Sequence, residues 1–454
     1  MRFDSRLAEI RFGYGHNPDL NPPADAGEII ARLGARDRAA QRWPIDLYAT
    51  RTPLLVEYQR LNKLRKSGDM EGVTLNKALR KRVRRDQMMY LNTALSRAAL
   101  SEDAFRERLT RFWGDHFTVR GKQALTKQLV STYIEEAIRP HLAGRFADLL
   151  KSAVTHPMML LYLDQFRSIG PGSNGAKNGK RGLNENLARE VLELHTLGVD
   201  GAYAQDDVRQ LAELFTGLSV KSDRTFVFRD NIAEPGSETV LGESYGGRNA
   251  NLNDIHEVLE DLAVHPDTAR HLAWKLAVHF VADVPEQALV EHVAQAYLRS
   301  GGDLTATYSA LLEHPAAWAA QLGKARQPFD FIAASLRALA VSPRTMSEHD
   351  DKDVLRRYYK PMRAMGQNWE FPGGPDGLPE EASYWITPPA LAVRINWALR
   401  APEDILAKLP DPRALLERAL GPMANDALNF AVAGAENRSV GVALVLTSPQ
   451  FQRR

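Results

Sequence analysis

The apolar positions of this chain recur with the spacing of helices. Leu75, Leu79, Val83, Leu91 and Leu95 follow one another at four-residue steps or multiples of them, and Leu272, Leu276 and Phe280 do the same. Each set falls on one side of a helix and predicts a buried stripe. Ser101 followed by Glu102 and Asp103 supplies a hydroxyl cap and first-turn acids, so a helix is expected to start there and carry Phe105, Leu109 and Phe112 on one side. It runs into Trp113, Gly114, Asp115 and His116. The pairs His156-Pro157, His265-Pro266 and His314-Pro315 each precede a run of helical character, where proline is tolerated because the first helical N–H has no partner to lose. They read as helix punctuation, and their unequal spacing does not support a solenoid repeat.

Three stretches break the helical pattern. Residues 168–182, SIGPGSNGAKNGKRG, have nothing to bury and predict a long mobile loop. Residues 225–242 carry β-formers on both sides of Glu234-Pro235-Gly236 and predict a β-hairpin turning there. Residues 371–389 are too rich in Pro and Gly for a helix, and their Phe371, Tyr384 and Trp385 predict an ordered loop packed over the body. The expected fold is mainly α, a multi-helical domain with a small inserted β-hairpin around 225–242. A single core stops growing at about 250–300 residues. The 454 residues therefore predict two helical lobes, about 1–165 and 184–454, joined by a flexible Gly/Lys loop at 168–182.

Composition narrows the function classes. A formal net charge of +2 provides no global field for nucleic acid, which is not an expected partner. No run approaches the roughly 18 apolar residues of a membrane span, and the first 15 residues show no export signal, which predicts a cytoplasmic protein without a transmembrane segment. With no cysteine, disulfides, thiolate nucleophiles and iron–sulfur clusters are excluded. HExxH and GxSxG are absent. The Walker pattern also fails, because Gly175 stands four rather than five residues before Gly179 and Arg181 follows Lys180. The densest basic run, Lys77, Arg80, Lys81, Arg82, Arg84 and Arg85, reads as a solvated helix face, with steep salt dependence as the signature of a polyanion partner instead.

The most function-like segment is NENLARE at 184–190, followed by Glu193 and His195. At about 100° per residue, Asn186, Arg189, Glu190 and Glu193 share one polar face of a helix. Carboxylates three residues apart are close enough to bind one hard cation, share a proton or hold a guanidinium. The competing reading pairs Arg189 with Glu193 on a solvated face. His195 lies nearer the apolar side and reads as a packed histidine satisfied by a backbone carbonyl. His116, among aromatics at a helix end, reads either as a general base or as a helix cap.

Taken together, FWGDHF, HPMMLLYLDQFRSIGP, GLNENLAREVLELHTLGVDGAYAQDDV, EPGSETVLG, MGQNWEFPGGPDGLP and the terminal SPQFQRR resemble the large bacterial family known as domain of unknown function DUF1800. The family's Asn-Glu-Asn-x-Ala-Arg-Glu block matches Asn184, Glu185, Asn186, Ala188, Arg189 and Glu190, with Glu193 and His195 completing it. Its Trp and Asn-His-Phe signature matches Trp113, His116 and Phe117, with Asp115 where Asn is usual. Ala233 stands where the family commonly has His, and Glu238 stands near a basic position. The resemblance implies one family domain over residues 1–454 and no established activity. It also implies an envelope or polysaccharide context, a periplasmic location and a partner protein from a neighbouring gene.

Two readings stay open. In the first, the chain is an enzyme, a hydrolase or transferase acting on a small molecule or an envelope glycan. Glu190, Glu193, Arg189 and His116 would then be catalytic, Asn184, Asn186, Asp115 and Trp113 would contact substrate, and a divalent metal ion on Glu190 and Glu193 would assist. In the second, the chain is a non-catalytic binding or assembly protein and the polar face is a buried structural network.

Overall fold

The computed structural model describes residues 3–122, 125–178 and 182–454. Four helices position the site. Helix α1 (Met70–Leu100), 31 residues long, starts where the Asp69 carboxylate accepts the Gly72 N–H at 2.8 Å. Helix α2 (Ala104–His116) starts where the Asp103 carboxylate accepts the Arg106 N–H at 3.0 Å; Ser101, expected to be the cap, instead accepts the Asp103 N–H at 3.0 Å. Helix α3 (Asn186–Glu190) continues as the π-helical turn Val191–His195. Helix α4 (Pro266–Phe280) buries Leu272, Leu276 and Phe280 as the periodicity predicts. Along α1, Val83, Leu91 and Leu95 are buried, but Leu75 is 41% exposed. The first half of α1 packs closely on the Tyr48–Lys66 helix at Gly72, beside Leu64.

The His-Pro pairs do more than punctuate. In each, the histidine caps the helix that its proline opens, its Nδ1 accepting the N–H of Met158 (3.1 Å), Asp267 (3.1 Å) or Ala316 (3.2 Å). No helix among the described residues is long and apolar enough to cross a membrane.

The chain is mainly α, and among the described residues its sheets are two small hairpins where one was expected. Strand β1 (Leu218–Val220) pairs antiparallel with β2 (Phe226–Phe228), and β3 (Gly236–Val240) with β4 (Glu243–Gly247). Glu234-Pro235 lies between the hairpins, not at a tip. The second tip is Leu241-Gly242, both residues at positive φ, with the Leu241 N–H held by the Asp207 carboxylate at 2.8 Å. A leucine in that conformation hid the turn from a reading by turn propensity.

The described part of 168–182 is a docked loop, against the expectation of mobility; residues 179–181 lie outside the described residues. The Gly170 N–H donates to the Ile232 carbonyl at 2.9 Å and the Gly172 N–H to the Glu234 carboxylate at 2.8 Å. A Cβ at Gly170 would stand 2.6 Å from the Glu234 nitrogen, so glycine permits this close approach. One apolar cluster draws on residues from Leu7 to Trp318, on both sides of that loop, and a second on Tyr14, Met88–Ala104 and Phe329–Phe451.

Candidate functional site

Asn184 builds the start of α3. Its Oδ1 accepts the Asn186 N–H at 3.1 Å, and its Nδ2 donates to the Leu163 carbonyl at 2.8 Å. Leu187, Ala188, Val191 and Leu192 are buried, which turns the opposite face outward. On that face Arg189 donates to Glu193 (3.3 Å), Glu185 (3.3 Å) and Gln205 (3.0 Å). Glu190 is left out. Among the described residues it makes no hydrogen bond or ion pair, although it is half-buried. Burial, then Glu193 and Asp376, push its carboxyl up to about 7, against the pull of Arg189.

The π-turn leaves the Leu194 and His195 carbonyls free to accept from side chains, His271 Nε2 at 3.1 Å and His116 Nε2 at 3.1 Å. Each ring therefore donates from Nε2 and is the neutral tautomer. Burial followed by nearby Lys275 holds His116 well below the ordinary histidine range, His195 at about 3 and His271 at about 4. His116 does not cap its own helix; its ring caps the π-turn that ends α3, at the His195 carbonyl. His195 is packed against Phe117, ring centroids 5.0 Å apart, but its Nδ1 has no partner among the described residues, and its carbonyl receives the bond it was expected to make.

His271, Lys275 and His279 stand at four-residue steps on α4 and floor the site. The half-buried Lys275 amine makes no hydrogen bond or ion pair among the described residues. Burial lowers its pKa against the opposing pull of Asp115, Glu380 and Asp376. Asp115 is pushed up to about 7, mainly by burial, and its carboxylate accepts the Leu378 N–H at 2.9 Å. Gly377, at φ +89°, sits so close over Asp115 that a Cβ would stand 2.5 Å from Oδ2. Glu380 accepts from His279 Nδ1 at 2.6 Å and pairs with Lys324 at 3.3 Å. Burial alone would raise the Glu380 carboxyl, but His279, Lys324 and Arg454 outweigh it and hold the group below the ordinary range.

The 371–389 segment is thus tied down by Arg120 to the Gly373 carbonyl (2.5 Å), by Asp115 to Leu378 and by Asp283 to the Ala382 N–H (2.8 Å). It covers the body with Trp385 buried, but against expectation Tyr384 is exposed and the segment is not all loop: Ala382–Trp385 is a short helix and Pro388 opens the helix Pro388–Ile405. Between those ties Asp376 is exposed and within electrostatic reach of Glu190, Lys275 and Tyr162.

Of the residues expected at the site, the fold brings Glu190, Glu193, Arg189, Asp115 and His116 to one region, together with His271, Lys275, Asp376 and Glu380. Trp113 does not belong there. It is wholly buried in the apolar cluster and donates to the Tyr308 hydroxyl at 2.6 Å, so it is a packing residue. Asn184 is spent on the helix start, and Asn186 faces solvent. No set of three His, Asp or Glu side chains among the described residues is placed to hold a metal ion, so Glu190 and Glu193 gain no third ligand. Lys275 and His271 were missed although they left a signal: polar residues at period four beside the apolar stripe of α4. Asp376 and Glu380 left none, because a Pro/Gly-rich segment has no periodicity from which to read direction.

The second hairpin carries a buried carboxyl that matters for stability. Glu238 points inward from β3, 6% exposed, and its carboxyl shares a hydrogen bond with that of Glu213. Burial first and Glu213 second raise Glu238 to about 7. Its folded value exceeds the unfolded one, so the stabilising contribution is full below the ordinary glutamate value and is lost as pH rises through about 7. Glu238→Lys, which supplies a counter-charge to Glu213, is expected to raise unfolding free energy at pH 8 by on the order of 1–2 kcal/mol, with less or no gain at pH 5. Urea unfolding at the two pH values checks this.

The family described as "Protein of unknown function (DUF1800)" matches residues 9–453, nearly the whole chain. No curated protein and no solved structure matches it at a significant level.

Proposed function

The chain belongs to the DUF1800 family, whose description assigns no activity, and from the geometry of the site we propose that it is a hydrolase or transferase acting on a polysaccharide by general acid–base catalysis. The observation that carries this reading is the half-buried Glu190 carboxyl, left without a partner between Glu193 and Asp376 and held near neutrality. A protonated carboxylic acid paired with a second carboxyl group is the arrangement that cleaves a glycosidic bond. Glu190 donates its proton to the leaving oxygen as the bond from that oxygen to the sugar carbon breaks. Asp376 takes the proton of the attacking water or hydroxyl, whose oxygen forms the new bond. Arg189 orients Glu193 and moderates Glu190. Lys275 and Asp115 set the field beneath the reacting atoms.

Reducing-end release from a panel of polysaccharides tests the reading. The rate is expected to fall as pH rises through about 7, where Glu190 loses its proton. No cleavage or transfer on any member of the panel would overturn it.

The alternative, a buried structural network, is disfavoured by the 39% exposure of the Arg189 side chain. Exposed ion pairs contribute little, so Arg189→Ala is expected to cost less than about 1 kcal/mol in a thermal or urea melt. The same change removes the charge that lowers Glu190, so the alkaline limb of the rate profile should move to higher pH. Unfolding of this variant would favour the structural reading.

A further inference from the structure

A groove of about 740 Å³ opens between α1 and the 351–371 region. Arg80, Lys81 and Arg84 enter it from one face of α1, Lys122 and Lys127 from the segment after α2, and Arg363 from the far wall, whereas Asp351 is the only acid among its described lining residues. Six cations against one carboxylate is a local concentration that the net charge of +2 conceals. Apart from Lys122, which pairs with Asp164 at 2.5 Å, none of the six has an ion-pair partner among the described residues. Five cations without an ion-pair partner among the described residues thus face one groove.

The groove leads to the site. Lys122 also borders a second cavity of about 320 Å³, lined by Arg120, Arg167, Arg224 and Tyr162. The Tyr162 phenol lies within electrostatic reach of Glu190 and Asp376. Lys122 thus joins the basic groove to a cavity, lined also by Asp164, whose Tyr162 wall adjoins the carboxylates of α3.

We propose that this track binds an anionic polysaccharide and feeds it to the carboxylate site, an inference that names the substrate class of the activity proposed above and rests on it. Single-stranded nucleic acid needs a row of open rings on which successive bases stack, and of the three aromatic residues lining the groove only Tyr359 is left partly open. Arg120 and Lys127 cover the Phe371 ring, at 4.3 and 5.0 Å from its centroid, and Trp369 is buried with Arg111 at 4.5 Å. A concave channel also fits a chain better than a bilayer surface. What remains for recognition is a line of charge and hydrogen-bond donors, suited to regularly spaced carboxylates or sulfates on a hydroxyl-rich polymer.

The test measures binding of labelled polygalacturonate, dextran sulfate, neutral dextran, poly(dT) and polyglutamate to the full chain, to Arg80→Ser/Lys81→Ser/Arg84→Ser and to Glu190→Gln. The three arginine and lysine positions are exposed, so that variant is expected to fold, and circular dichroism verifies it. One or both acidic polysaccharides should bind, with affinity falling at least about tenfold between 50 and 200 mM salt. The pair distinguishes carboxylate from sulfate recognition. The triple variant should weaken binding at least about tenfold, as expected when three charge contacts are lost. Equal binding by the folded triple variant, equal binding of neutral dextran, or tighter binding of poly(dT) or polyglutamate would overturn the proposal. Glu190→Gln should bind like the parent. Binding without cleavage by the parent would sustain the ligand class and sink the catalytic reading.

Discussion

Glu190→Gln is expected to lower turnover at least about 100-fold, the scale of a lost general acid, while the protein becomes slightly more stable at pH 8. The two effects share one cause. Glu190 titrates near 7 in the folded chain, above its unfolded value, so its ionisation above that pH works against folding. Glutamine fills nearly the same space without a charge, which removes that penalty at pH 8 and changes little at pH 5. It also has no proton to give at the ordinary pKa of a carboxylic acid. Parallel rate measurements and urea melts separate the outcomes. A variant that is both inactive and destabilised would indicate packing rather than catalysis, and one that retains full activity would remove Glu190 from the chemistry.

Asp330→Ala is expected to cost about 3–5 kcal/mol, the penalty for leaving buried charge without its partner, and to reduce the yield of folded protein sharply. Asp330 accepts from Arg108 at 3.0 Å and lies 3.5 Å from Arg454, with buried Arg326 and Arg394 close enough to feel its charge. Burial alone would raise its carboxyl, but Arg108 and Arg454 overcome this and lower it. The network reaches the site, because Arg108 also contacts His279 at 3.2 Å, whose other nitrogen holds Glu380 and so the loop that carries Asp376. Urea unfolding measures the loss. A variant melting like the parent would show that the guanidinium groups find other partners.

Much of the helical fold was legible because α4 and the second half of α1 each bury one stripe, and periodicity reports a buried stripe directly. The His-Pro pairs were legible because proline at a first helical position has a steric reason to be there. The polar face of α3 was legible as far as Arg189, Glu190 and Glu193, and the fold then divided it: Arg189 pairs with two of its neighbours and leaves Glu190 alone. What stayed hidden depends on contacts far apart in sequence. Asp115 and Leu378 are joined by a loop that has no periodicity, Lys275 lies on a helix read for its leucines, and the cations of Arg80 and Arg363 meet only in three dimensions. Trp113 misled because a tryptophan beside an acid and a histidine looks like a binding corner until its indole N–H is found bonded to Tyr308 in the core.

The central claim is that Glu190 is a carboxyl poised near neutrality between two neighbouring carboxyl groups. Carbon-13 NMR titration of the side-chain carboxyls, with Glu190 assigned by its absence in Glu190→Gln, tests it most directly. The account predicts a midpoint close to 7 for Glu190, moved upward in Arg189→Ala and downward in Asp376→Asn. A midpoint in the ordinary glutamate range, unmoved by either change, would contradict it.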